Sequence, residues 1–148
     1  MDNFEYVVQN VKDEKIADIY RQLGPYDHYA NRDPLADVDI NRAMKLDFDA
    51  RKSGALYKGQ ISIASGKPDG YGFKIYPNNS MYEGSFDEGQ IHGMGRGVSS
   101  KGEVYQGEFA FDQMDGKGLF QWPDGRAYFG QFKEGQKQGK GMFMWPNG

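Results

Sequence analysis

A 23-residue repeat fills the second half of the chain and constrains the fold more than any other feature. Three residue types keep this interval in three successive units: Tyr82, Tyr105 and Tyr128; Gly84, Gly107 and Gly130; Phe86, Phe109 and Phe132. A Gly-x-Gly pair, Gly93 and Gly95 in the first of these units, recurs with them. A looser unit precedes the three and carries Tyr57, Gly59, Gly70 and Gly72. Such regular spacing indicates an array of one repeated structural unit.

Each unit has the pattern of a β-hairpin rather than of a helix pair. The segments 117–122 and 140–145 read KGLFQW and KGMFMW, in which apolar residues and aromatics alternate as in strands. Turn residues separate the strands, with Glu88-Gly89 and Glu134-Gly135 inside units and Pro123-Asp124-Gly125 between them. In helices these glycines would each cost about 1 kcal/mol. The sequence therefore predicts a mostly β fold, an elongated single-layer antiparallel meander.

The spacing of aromatics and glycines predicts how this sheet is stabilised. Tyr128, Gly130 and Phe132 point to one face, and the glycine leaves a gap between the two rings. We expect a ring from an adjoining strand to cover that gap, the candidates being Phe120, Trp122, Phe143 and Trp145. One face should thus be rich in aromatics and the other polar. The 82–104 unit should have the weakest aromatic stack, because it carries Val98-Ser99-Ser100 where its neighbours have aromatics and proline.

These units resemble MORN repeats, whose pattern is Tyr-x-Gly-x-aromatic, then Gly-x-Gly, then a turn ending in glycine. The resemblance covers about Leu56 to Gly148, with departures at Ile61, in place of the aromatic, and at Asp112, in a glycine position. It implies an interaction module, with self-association and a cytoskeletal, ciliary or membrane-proximal setting. The family also links such arrays to phosphoinositides.

The first third of the chain differs in composition from the array. Residues 1–24 are predicted to form one bent helix or two short ones, with Asp13 as a cap and Gly24-Pro25 as a stop. Residues 25–45 are predicted to be a linker without regular structure, and 46–148 the repeat array, led by a degenerate strand at 46–50. The helix either covers an end or face of the sheet or docks a partner or a second copy.

Composition excludes several classes of function. The 148 residues include no cysteine and only two histidines, His28 and His92, so metal and triad chemistry have few donors. The net charge of −3 argues against a nucleic-acid partner, and no apolar run is long enough to span a membrane. Asp37, Asp39 and Asn41 mimic a calcium loop that lacks its glycine and glutamate. We therefore predict no enzyme, cofactor or metal, and a cytoplasmic protein without a secretory signal.

The leading hypothesis is a non-catalytic scaffold or adaptor that presents an aromatic, glycine-rich groove to a peptide or helix of a protein partner. The predicted partner-binding residues are Tyr82, Phe86, Tyr105, Phe109, Trp122, Tyr128, Phe132 and Trp145. One alternative is the targeting module of a larger enzyme, such as a phosphoinositide kinase or a lysine methyltransferase, and we expect the natural chain to continue past Gly148. Another is a module that binds anionic phospholipid through Lys133, Lys137 and Lys140.

Overall fold

A computed structural model describes residues 11, 13–24, 42–45 and 55–146. Its strands form one antiparallel sheet in which each strand pairs with its neighbours in sequence. The nine strands of this sheet are β1 (Arg42–Lys45), β2 (Leu56–Ser62), β3 (Pro68–Ile75), β4 (Met81–Asp87), β5 (Gln90–Val98), β6 (Val104–Ala110), β7 (Gln113–Gln121), β8 (Ala127–Lys133) and β9 (Gln136–Met144). The predicted β-meander is confirmed.

Tight turns join the two strands of a unit and fix its twist. In two of these turns both residues have positive φ: Glu88 and Gly89, and Glu134 and Gly135. This is the backbone conformation of the two-residue turns whose twist matches that of the flanking strands. In the unit that begins at Tyr105, Phe111 and Asp112 also have positive φ, although neither is a glycine. Between units, Gly125 turns the chain at φ 94° after Pro123. The turns predicted at 88–89, 134–135 and 123–125 are therefore confirmed.

Among the described residues, a helix, α1 (Glu14–Leu23), precedes the sheet. The Asp13 carboxylate accepts the backbone N–H of Lys15 at 2.9 Å, and Gly24 ends the helix with a φ of 72°. The predicted cap and stop are thus confirmed. An earlier helical segment and the Leu46–Ala50 strand were also predicted, and both lie outside the described residues apart from Val11. None of the helices that the structure describes is long and apolar enough to cross a membrane.

Helix α1 covers one face of the sheet, which we call the helix face. Its buried side chains Ile16, Ala17 and Tyr20 form one apolar cluster with sheet residues. The sheet contributes Phe73, Ile75, Met81, Val98 and Val104. The expectation that the face opposite the aromatics is polar was therefore wrong. Because the helix provides a second layer over β3–β6, apolar side chains on that face are stabilised by burial.

The start of the sheet also differs from the sequence prediction. Strand β1 lies at Arg42–Lys45, where a linker without regular structure was predicted, and pairs with β2 from Arg42↔Ser62 to Lys45↔Gly59. Its sequence, RAMK, carries neither the aromatics nor the glycines of the repeat. Pairing with the open edge of β2 satisfies its backbone groups, so a short strand forms without a strong local pattern.

Candidate functional site

A continuous ladder of aromatic rings runs across the face opposite α1, which we call the tyrosine face. Each ring meets the next nearly edge to face, with centroids 4.9–5.3 Å apart and interplanar angles of 85–90°. The order along the sheet is Tyr57, Phe86, Tyr82, Phe109, Tyr105, Phe132 and Tyr128. Edge-to-face pairs are favourable beyond the area they bury, so the ladder stabilises neighbouring units against each other.

The repeated tyrosine also explains the repeated glycines. The Tyr82 hydroxyl donates to the Ser85 carbonyl at 2.8 Å, and Tyr105 donates likewise to Glu108 at 2.8 Å. A methyl group on Gly95 would come closer than 3.0 Å to the Tyr82 ring, which lies flat over that glycine. We expected a ring from an adjoining strand over the first glycine of the motif; instead, the tyrosine of the same unit covers the Gly-x-Gly glycine. The reason is a β-bulge in each unit, such as that between Gly84 and Phe86, which brings the hairpin backbones close together.

The eight predicted partner-binding residues all lie on the tyrosine face, but they differ in accessibility. Five of them are at most 4% exposed and form the ladder's interior: Tyr82, Phe86, Tyr105, Tyr128 and Phe132. Phe109 and Trp122 are half-buried, and Trp145 is 58% exposed. Buried rings stabilise the sheet and offer a partner little surface. The accessible part of the predicted set is therefore Phe109, Trp122 and Trp145.

A second row of aromatics stands at the open end of this face, and the predicted binding set included its two tryptophans but not its two phenylalanines. Phe143 is 49% exposed and lies between Trp122 and Trp145, with nearly parallel rings at 6.2 and 6.3 Å. Phe120 packs against Trp122 at 4.7 Å. We call Phe120, Trp122, Phe143 and Trp145 the aromatic row. The Phe-x-Trp pattern of 120–122 and 143–145 was the available signal.

The aromatic row borders an open cleft of about 540 Å³ that Met114, Phe132 and Lys137 also line. The Lys137 ammonium lies 4.9 Å from the Trp122 ring centroid and 5.3 Å from that of Phe143. A cation over aromatic faces is attracted to them, so this lysine is held against the row. The cleft thus combines apolar walls with a positive charge at Lys137 and a carboxylate at Glu103.

A second open cleft, of about 410 Å³, lies over the 82–104 unit. Tyr76 and Phe120 stand on opposite sides of it, with Gly97 and Ser99 between them. The ladder beneath is unbroken, since Tyr82 and Phe109 remain 5.1 Å apart. The unit predicted to have the weakest aromatic stack therefore keeps its ladder rings but has no ring in the row above them. We call this space the Gly97 cleft.

The three lysines proposed for lipid do not share one face. Lys137 lies over the rings of the tyrosine face. Lys140 precedes Gly141, which pairs with Gly130 on that face, so strand alternation turns Lys140 to the opposite side. Lys133 follows Phe132 and alternates in the same way. The structure therefore places one of the three lysines beside the aromatic row.

An ion pair that the sequence prediction did not identify attaches α1 to the sheet. Arg96 Nη2 donates to the Gly24 carbonyl at 2.6 Å and lies 3.7 Å from Glu83 Oε2, with both side chains buried. The Arg96 guanidinium also lies 5.3 Å from the Tyr20 ring centroid. A signal was available: in later units the position of Arg96 holds Leu119 and Met142. A charge at an otherwise apolar position of the repeat indicates a specific partner.

Tyrosines near these clefts have altered acidity. Burial, followed by the negative charge of Asp112, raises the pKa of Tyr76 to about 12. Burial and then the carboxylate of Glu108 raise the pKa of Tyr105 further. Both hydroxyls are neutral at physiological pH. Within residues 55–146 and the other described segments, no group of three or more carboxylates or histidines is arranged to hold a metal ion.

Comparisons with known proteins agree with the geometry. The family model described as MORN repeat matches residues 64–81, 82–102, 105–125 and 128–148, just over half of the chain. No curated protein matches the sequence. MORN repeats are modules for interaction with proteins and membranes, and the matched segments 82–102 and 105–125 each end in a turn between two strands of the sheet. Family model, hairpin register and ring ladder together show that this chain belongs to the MORN-repeat family.

Proposed function

We propose that this protein is a non-catalytic scaffold that presents its tyrosine face to an extended peptide or a helix of a protein partner. The observation that carries the proposal is the aromatic row. Its rings are held at fixed spacing by the sheet, yet Phe143 and Trp145 remain half-exposed. Aromatic side chains that are rigid and accessible are the usual anchors of protein interfaces.

The ladder beneath the row supports this function by preorganisation. Tyr128 contacts Phe132 at 5.3 Å and Phe143 at 5.0 Å, so the row rests on rings that are themselves buried. A partner therefore meets a surface whose side chains lose little conformational entropy on binding. Along β7–β9 the row and the 540 Å³ cleft beside it form a largely apolar groove with Lys137 at its rim. Such a groove suits an apolar segment, with an acidic residue favoured where the segment passes Lys137 rather than Glu103.

The test is a selection of peptides from a displayed random library against the full chain. Selected peptides should lose about tenfold or more in affinity for the Trp122→Ala/Trp145→Ala double variant, because the row supplies their anchors. Phe129→Ala is the matched control, since Phe129 is 52% exposed and pairs with Met142 on the opposite face. Its affinity should change by less than about twofold.

Two results would overturn the proposal. One is a selection that returns no peptide; the other is binding that Phe129→Ala weakens and the double variant does not. Sedimentation with vesicles containing anionic lipid is the parallel measurement. Lipid binding that depends on Lys137 and on the row, with no peptide binding, would assign the face to membranes instead.

A further inference from the structure

The Gly97 cleft arises from a gap in an otherwise repeated pattern. The position of Gly97 holds Phe120 and Phe143 in the next two units, and that of Ser99 holds Trp122 and Trp145. In these units the two side chains form the aromatic row. Between Tyr76 and Phe120 the row is interrupted for one unit, and the open space there measures about 410 Å³. The missing volume corresponds to aromatic side chains that the neighbouring units possess.

Glycine is not required sterically at position 97. A methyl group there would meet only the Met81 carbonyl oxygen and Phe109 Cζ, each at 3.8 Å, which is ordinary van der Waals contact. Gly95, two residues earlier, has no such room beneath Tyr82. Gly97 also lacks a positive φ. The fold therefore tolerates a side chain at this position, and the cleft is open because the sequence leaves it so.

The walls of the cleft define the chemistry that fits it. Aromatic and aliphatic side chains surround it, with Tyr76 and Phe120 on its sides and Ile91 and Phe109 at its base. Its polar border carries two carboxylates, Glu103 and Asp112, and no basic residue lines it. Lys74 lies beside the cleft wall rather than in it, with its ammonium 5.1 Å from the Tyr76 ring centroid. An apolar space with an acidic border favours an aromatic group beside a positive charge.

We propose that the Gly97 cleft binds an aromatic side chain of an extended partner peptide in which a lysine or arginine is adjacent to that aromatic residue. The inserted ring takes the place that Phe120 and Phe143 occupy in their own units and completes the row. The neighbouring basic group faces Glu103 and Asp112. This inference rests on the proposed function of the tyrosine face and specifies which residues of a partner it selects.

The test uses the full chain and two short capped peptides, Gly-Lys-Phe-Lys-Gly and its alanine analogue Gly-Lys-Ala-Lys-Gly. Binding is followed by NMR through the backbone amide signals of Gly97 and Ser99. We expect the phenylalanine peptide to shift both signals and the alanine peptide to bind about tenfold more weakly, as expected for burial of one ring. A third peptide with glutamate in place of lysine should also bind more weakly.

Two variants at one position separate the cleft from the fold. Gly97→Phe fills the space from within the chain and should weaken the phenylalanine peptide about tenfold or more. Gly97→Ala leaves the space open and should change the affinity by less than about twofold. The methyl group of Gly97→Ala meets no close contact, and an unchanged amide spectrum outside the cleft is the check that each variant is folded. Glu103→Gln should weaken binding of Gly-Lys-Phe-Lys-Gly and should not weaken binding of the peptide that has glutamate in place of lysine.

The outcomes distinguish this inference from the proposed function. Equal binding of the phenylalanine peptide to wild type and Gly97→Phe, or binding without a shift at Gly97, overturns the cleft assignment. If that binding is instead lost in the Trp122→Ala/Trp145→Ala variant, the scaffold function stands and the anchor lies in the aromatic row. No binding of the phenylalanine peptide also overturns the inference, while the library selection continues to test the scaffold.

Discussion

Gly95 and Gly97 occupy the same strand and yet have opposite requirements. Tyr82, which is 2% exposed and bonded through its hydroxyl to Ser85, cannot move away from a side chain on Gly95. We expect Gly95→Ala to lower the free energy of unfolding by about 1–3 kcal/mol, the usual range for overpacking. Urea denaturation of the purified variant measures this change.

Gly97→Ala is the control for that experiment. Its methyl group has room, and alanine restricts the unfolded chain more than glycine does. The variant should therefore be unchanged or more stable by up to about 1 kcal/mol. Equal destabilisation by the two substitutions would show that strand geometry, rather than the overlying tyrosine, requires these glycines.

The pKa of Tyr76 leads to a prediction about alkaline stability. Burial and Asp112 raise that pKa to about 12, above the value near 10 of an unfolded tyrosine. The folded state therefore holds the proton more tightly, and the resulting stabilisation is complete below about pH 10 and is lost as the pH rises toward 12. Tyr76→Phe should lose less stability over this interval than wild type, as measured by urea denaturation at each pH.

Asp112→Asn tests the smaller cause of that shift. Removing the negative charge should lower the pKa of Tyr76 without restoring its ordinary value, because burial is the larger cause. Tyrosine absorbance at 295 nm, as the difference between each protein and its Tyr76→Phe counterpart, follows the titration. A titration of Tyr76 that begins at the same pH as free tyrosine would contradict the buried environment.

At the residue scale, the sequence identified the correct side chains for the tyrosine face but not their order of burial. The alternation of side chains along a strand was enough to predict that Tyr128, Gly130 and Phe132 share one face. The bulge beside Gly130 and the approach of Gly141 beneath Tyr128 depend on backbone pairing, which no local pattern encodes. For this reason the sequence predicted the tyrosines as partner-binding residues, and the structure shows that their rings are buried against the glycines.

A buried ion pair on the sheet helps to hold α1 in place, in addition to the apolar cluster. Arg96 contacts Glu83, the Gly24 carbonyl and the Tyr20 ring, so its removal takes a positive charge away from the buried Glu83 carboxylate. We expect Arg96→Met to lower the free energy of unfolding by about 3–5 kcal/mol. Denaturation followed by circular dichroism at 222 nm would measure the loss together with the helical signal.

The double variant Glu83→Leu/Arg96→Met is the matched control. It replaces both charges with apolar side chains of the kind that Leu119 and Met142 supply in later units. Because the two facing charges are removed together, most of the lost stability should return. If the double variant is as unstable as Arg96→Met, the bond from Arg96 to Gly24 is the dominant contribution instead.

At the element scale, local signals predicted what local interactions determine. Asp13 and Gly24 set the ends of α1, and the glycine turns set the hairpins, because caps and turns involve only neighbouring residues. The face on which α1 packs is a tertiary property. Its apolar partners Phe73, Met81 and Val104 lie on three different strands, so no single segment shows the pattern that the helix covers.

At the scale of the whole molecule, the packing contacts that stabilise the strands are unevenly distributed along the sheet. Strands contact mainly their sequence neighbours, and in the described part of the chain α1 packs against β3–β6 and against Leu56 of β2. The side chains of β9 are all exposed by more than a third. In such a linear array each unit is stabilised by its own contacts and by the next interface. Opening should therefore begin at β9 and proceed toward the helix.

Phe86 and Phe132 offer an equivalent pair for testing this directional opening. Both are 4% exposed and each contacts two tyrosines of the ladder, so truncation to alanine removes similar packing, worth about 3–5 kcal/mol. Hydrogen exchange on the folded protein should show that Phe132→Ala exposes the amides of β8 and β9 while those of β3–β5 stay protected. Phe86→Ala should lower protection across both the helix-covered strands and those beyond them, because its contacts lie inside the covered region. Equal loss of protection in β3–β5 for the two variants would mean that the array unfolds as a single cooperative unit, with the ladder transmitting each local defect along its full length.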